Sequence, residues 1–97
     1  MIIGAVVQQP NDRLDYDVDF AKWFVSPTED FIIGATASVA PAGELSASVI
    51  VPPDDNQMVK LWLSEGEDGN DYIVTVQIST NAGRVKEIEL EVAVEEF

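Results

Sequence analysis

Hydrophobic and polar residues alternate along much of this chain, and the pattern is clearest towards its end. From Tyr72 the apolar positions fall at every second residue, Tyr72, Val74, Val76 and Ile78, with Thr75, Gln77 and Ser79 between them. A period of two puts the apolar set on one face of a β-strand, whereas a helix would need spacings of three and four. After a turn at Asn81-Ala82-Gly83, Ile88, Leu90, Val92 and Val94 keep the same beat against Glu87, Glu89, Glu91 and Glu95. The two runs predict a β-hairpin. Both apolar rows must face one core, so the numbers of paired residues must sum to an even value. Pairing Val76 with Leu90 and Ile78 with Ile88 meets this condition and predicts an odd loop, Ala82-Gly83-Arg84 or one residue longer at each side. It sets Gln77 across from Glu89 and Ser79 across from Glu87, so the glutamate row meets neutral partners. Carboxylates two apart on a strand lie ~7 Å from each other, and in water such a pair repels by only ~0.6 kcal/mol before salt screening. The row reads as a solvated face.

The same reading predicts further strands upstream. Leu14, Tyr16, Val18 and Phe20 alternate with Asp15, Asp17 and Asp19, the mark of a half-buried strand. Lys22-Trp23-Phe24-Val25 continues past a bend, and Ser26-Pro27-Thr28-Glu29-Asp30 is a turn cluster. From Phe31 to Val39 the residues are apolar and small on both sides, which predicts a strand buried on one face and closely covered on the other. Leu45 to Val51 follows, with Leu45, Ala47, Val49 and Val51 on one side, and Pro52-Pro53-Asp54-Asp55-Asn56 is a connection that a ladder could not include. Met58 to Leu63 sets Val59, Leu61 and Leu63 against Met58, Lys60 and Trp62. Turn signals about every ten residues and no helical spacing predict an all-β fold, an immunoglobulin-like β-sandwich of six to seven antiparallel strands. The chain reads as a single domain over residues 1–97, with residues 1–10 as an N-terminal edge strand or arm.

Composition narrows the function. The chain is 46% hydrophobic, which argues against disorder despite a net charge of -13. With 18 acidic and 5 basic residues, neither nucleic acid nor an anionic membrane surface is an expected partner. There is no cysteine and no histidine, which removes disulfides, thiolate and imidazole metal sites, Ser-His and Cys-His nucleophiles, and the usual base near neutral pH. A carboxylate-only enzyme would need two acids held ~5 to 10 Å apart in a pocket. The start, Met1-Ile2-Ile3-Gly4-Ala5-Val6-Val7, is too short to span a bilayer and lacks a basic flank, so it is expected to be neither signal nor anchor.

Two acidic groups invite a metal test. Asp15-x-Asp17-x-Asp19 has Phe20 where a calcium loop needs glycine and Ser26 where it needs a bidentate glutamate. Along a strand those carboxylates would also share one face and could not wrap an ion. The loop that holds Glu65, Glu67, Asp68 and Asp71 has the right ligand types for calcium, but acid and glycine are also what any solvated turn prefers. No cofactor is expected, with calcium at this loop the alternative. Tyr72, at the start of the penultimate strand, is expected to bond back to that loop as a corner tyrosine. Trp62 lies opposite the inward row, and an outward tryptophan beside Met58 is a candidate interface anchor unless a loop or the adjacent strand covers it. Trp23 is expected to plug one end of the sandwich. In the apolar N-terminal segment Ile2, Ile3 and Val6 are further interface candidates.

Four stretches together resemble a known family: Leu14-Asp15-Tyr16-Asp17-Val18-Asp19-Phe20 followed by Trp23; Trp62-Leu63-Ser64-Glu65-Gly66; Gly69 to Tyr72 with Val74-Thr75; and Thr80-Asn81-Ala82-Gly83-Arg84. The chain resembles the small phage proteins called fiber-tail adaptors over about residues 12–94, with Phe20 and Glu65 where the family usually carries tryptophan and a second glycine. The resemblance implies an immunoglobulin-like virion component of a tailed phage, made in the bacterial host cytoplasm. It would act without catalysis, several copies joining a fiber or head-tail element to other phage structural proteins. A capsid decoration protein would share size, fold and acidity. A calcium-binding cell-surface adhesive module would be expected to carry an export signal and to occur in tandem.

Overall fold

The computed structural model describes residues 2–20, 23, 31–41, 43–52 and 57–96. Alternation becomes seven strands: β1 (Ile2–Gln8), β2 (Arg13–Asp19), β3 (Ile32–Ala40), β4 (Leu45–Ile50), β5 (Met58–Glu65), β6 (Asp71–Thr80) and β7 (Val85–Val94). They form two sheets, a four-stranded one ordered β1-β7-β6-β3 and a three-stranded one ordered β2-β5-β4. The orders β7-β6-β3 and β2-β5-β4 correspond to G-F-C and B-E-D in immunoglobulin sandwiches, while the first strand lies beside the last instead of beside β2. The core lies between the sheets. Val59, Leu61 and Leu63 of β5 are fully buried with Val74, Val76 and Ile78 of β6, as the period-two reading requires.

The hairpin keeps the even parity but sits two residues from the expected register. Val76 pairs with Ile88, Ile78 with Lys86, Gln77 with Glu87 and Thr75 with Glu89. The loop is therefore Asn81-Ala82-Gly83, closed by bonds from Thr80 N–H to the Arg84 carbonyl (2.9 Å) and from Gly83 N–H to the Thr80 carbonyl (3.0 Å). A three-residue hairpin loop needs a left-handed residue at its third position. Gly83 supplies it with a φ of 84°, whereas the expected register would have put Arg84 there.

Three other expectations change. Not every strand pair is antiparallel: β1 runs parallel to β7, from Ile2 beside Glu89 to Gln8 beside Val94. Parallel neighbours need a long crossover, and the first and last strands have nearly the whole chain between them to provide it. The outer face of β3 is open rather than covered, with Ile33 61% exposed at a bulge, because β3 is the sheet's edge and pairs only with β6. Leu14, near the start of the edge strand β2, is 44% exposed. Residues 22, 24–30 and 53–56, expected as a bend and two turns, fall outside the described residues.

Both ends are closed by side chains. At one, Tyr72 is buried and its hydroxyl accepts a bond from the Glu67 N–H at 3.4 Å, the corner expected of it. The loop here makes a tight reversal. Glu65 has a φ of 64°, a conformation easier for glycine, and a Cβ at Gly66 would lie 2.9 Å from the Val94 Cγ2. Gln8 is also fully buried, and its Oε1 accepts from the Tyr16 hydroxyl at 3.2 Å, tying β1 of one sheet to β2 of the other. Burial, and secondarily the charge of Asp12, holds the Tyr16 phenol above its ordinary pKa. At the other end Trp23 packs on the core, under the Arg84 guanidinium at 4.6 Å from the ring centre.

Chemical denaturation should separate these positions. Leu61→Ala is expected to cost ~2–5 kcal/mol through its cavity and Gly66→Ala ~1–3 kcal/mol through backbone strain. Ile33→Ala should stay within ~0.5 kcal/mol. An Ile33→Ala loss as large as that of Leu61→Ala would contradict the assignment of the faces.

Candidate interaction surface

Strand register decides what the outer face of the three-stranded sheet presents. Trp62 stands between Asp15 of β2 and Ser48 of β4, Lys60 between Asp17 and Ile50, and Met58 beside Asp19. Arg13 lays its guanidinium over the Trp62 ring, 4.7 Å from the centre, so the adjacent strand covers the tryptophan and leaves it half-buried. Lys60 Nζ donates to Asp15 Oδ2 at 2.9 Å and to Asp17 Oδ1 at 3.0 Å. The hydrogen bond from Lys60 lowers the Asp15 pKa below its ordinary value, and the same two bonds raise that of Lys60. A row of aspartates that could not wrap a cation is thus held by a side-chain ammonium. Reading β2 alone missed this, since only the pairing of Asp17 with Lys60 brings them together. Ile50, 52% exposed, is the apolar residue this face leaves most open beside the half-buried Trp62 and Met58.

The N-terminal candidates divide. Ile2 and Ile3 lie on β1, but their side chains are outside the described residues. Val6 stands opposite Val92, half-buried against the core. Its neighbour Val7 is 52% exposed on the outer face instead.

The acidic loop is tied to the end of β7. Gly69 N–H donates to the Val94 carbonyl at 2.8 Å, and Glu96 N–H donates to Asp68 Oδ1 at 2.9 Å. Glu67 Oε2 accepts from Asn70 Nδ2 at 3.3 Å. Among the described residues no three His, Cys, Asp or Glu side chains, Glu65, Glu67, Asp68 and Asp71 included, are grouped to hold a metal ion.

On the outer face of the four-stranded sheet, Glu87, Glu89 and Glu91 of β7 stand across from Gln77, Thr75 and Ile73 of β6. On the other side Glu89 and Glu91 meet Ile2 and Ala5 of β1. The row keeps its neutral partners, although the register assigns different ones from those expected. This spacing avoids direct cross-strand repulsion while leaving the face strongly negative.

A family model described as podophage GP4 fiber-tail adaptor protein gp77 matches residues 8–93. No curated protein matches the chain. The matched span takes in β2 through β6 whole and β7 up to Ala93, so what is shared is most of the sandwich with its corner and hairpin, not one isolated motif.

The Lys60 link has a defined titration. Because the folded pKa of Asp15 is depressed, its contribution to stability is present above the ordinary carboxylate value and is lost as pH falls through the lower folded value. Lys60→Gln should move the Asp15 carboxyl resonance midpoint up towards 3.8 in an NMR titration. An unmoved midpoint would show that the ion pair does not persist in solution.

Proposed function

This chain belongs to the podophage GP4 fiber-tail adaptor family, and from that premise we propose that it is a non-catalytic joint of the virion tail. In this reading several copies link a fiber or head-tail element to other phage structural proteins by protein-protein contact alone. The observation that carries it is the family match over residues 8–93, which covers nearly the whole sandwich.

The chemistry supports a mechanical role. The chain has neither histidine nor cysteine. Asp71 and Glu91 share a groove but both are exposed on an open face, and glycosidic chemistry needs one of two carboxyls in a water-poor enclosure. A net charge of -13 opposes binding to nucleic acid or to anionic membranes and keeps free copies apart before assembly. Contacts in this reading fall on the two outer faces: Trp62, Met58 and Ile50 on one, and Val7 of β1 on the other. The rigid sandwich between them sets the separation of the two partners. Synthesis in the host cytoplasm, ahead of docking onto a preformed particle, fits a chain with no disulfides to form.

Disrupting the gene should yield DNA-filled heads whose tails lack fibers by electron microscopy, and adding the purified protein should restore fiber attachment. Equal binding to shells assembled without tails would turn the assignment to capsid decoration.

A further inference from the structure

The outer face of the four-stranded sheet is not uniformly polar. Near the ends of β1 and β7 the registers align two rows across it. Ala40, Ile73, Glu91 and Ala5 form one row; Asp71, Ala93 and Val7 form the next. Alanines at three of these places leave a trough between the larger Ile73 and Val7, and Pro41 closes it on the β3 side. The groove measures about 380 Å³, room for one or two large apolar side chains.

Its charge is one-sided. Asp71 and Glu91 line it and no lysine or arginine does. Among the described residues no cation pairs with either carboxylate, whereas Arg13 and Lys60 serve the opposite face and Arg84 the far end. From the groove, Glu89 and Glu87 continue the row along β7 at every second residue. That repeat, ~7 Å, is also the repeat of side chains on one face of any extended segment. Apolar space, unbalanced negative charge and a strand-like repeat therefore coincide.

We propose that this groove docks an extended, basic segment of a neighbouring virion protein. An apolar side chain of the segment fills the trough over Ala93, and its Lys or Arg residues pair with Asp71 and Glu91. The proposal rests on the adaptor reading and adds to it a surface and the partner's chemistry. A second copy of this chain does not fit, because each carries a net charge of -13 and would bring the same carboxylates face to face. Rim charges of this kind act mainly on the rate of encounter and on salt dependence, with the apolar anchor providing residence.

The test uses tailed particles assembled in a host lacking the protein as the probe, to which purified full-length protein is added. With p-benzoylphenylalanine in place of Val7, photocrosslinking and mass spectrometry should identify a peptide carrying an apolar residue flanked by Lys or Arg. The double variant Asp71→Lys, Glu91→Lys should bind about tenfold more weakly at ~50 mM salt, with the deficit mostly gone at ~500 mM. Both exchanges are at exposed positions, and an unchanged unfolding midpoint checks that the sandwich is intact. Wild-type protein that binds while the crosslink captures an acidic peptide, a second copy or nothing overturns the groove and leaves the adaptor reading standing. An unweakened double variant does the same. Wild-type protein that does not bind tailed particles at all overturns both.

Discussion

The pairing of β6 with β7 is the constraint on which the other elements rely. These two ten-residue strands hold the centre of the four-stranded sheet, and both their inward rows must meet β5 across the core. Shifting one against the other by a single residue would drive Glu87, Glu89 and Glu91 inward, where unpaired carboxylates cost several kcal/mol each by any measure. A shift of two is forbidden by less, since parity survives it. There the turn decides: Gly83 takes the left-handed place, and the Arg84 N–H donates to the Thr80 hydroxyl at 3.0 Å to complete the closure. With the hairpin in place, β1 and β3 add to its two sides, the Tyr72 corner sets where it begins, and Trp23 and Arg84 cover the end where it turns.

Charge is arranged unevenly over this frame. On the β2-β5-β4 face, Lys60 and Arg13 answer the aspartates and Trp62, so a patch that looks acidic along the chain is largely balanced in space. These pairs are exposed and add little to stability, but they order the surface. On the opposite face the glutamates of β7 are separated from one another by neutral neighbours. The edges differ in the same way. β2 alternates aspartates outward, a guard against stray pairing, whereas β1, β3 and β4 carry no charged residue. A component that must stay single before assembly and bind afterwards can combine such neutral edges with overall charge repulsion.

Much of the fold was legible because the relevant signals are local. Period-two alternation marks β2, β4, β5, β6 and β7 and says which side chains go inward, and the corner role of Tyr72 follows from its place at a strand start after an acidic glycine loop. The candidate surface was legible only in part. Trp62 could be seen to face outward, but its cover by Arg13 could not. The N-terminal segment could be seen to be apolar, yet which of Val6 and Val7 would be exposed depended on how β1 meets β7. The calcium reading of the acidic loop rested on composition alone, since no spacing there is diagnostic of a calcium site.

The sequence by itself determined the all-β class, the faces of most strands, the even parity of the hairpin and the exclusion of thiol and imidazole chemistry, because each of these depends on residue type or on neighbours within a few positions. Only the tertiary structure decided which strands lie side by side. The parallel seam of β1 with β7, the Lys60 bonds to Asp15 and Asp17, the Arg13 cover on Trp62 and the groove over Ala93 all join residues from separate parts of the chain; Lys60 and Asp15 are 45 positions apart. Alternation states that a strand has an inside and an outside. It carries no information about its neighbour, which is settled by how the sheets close on one core and where the turns return the chain.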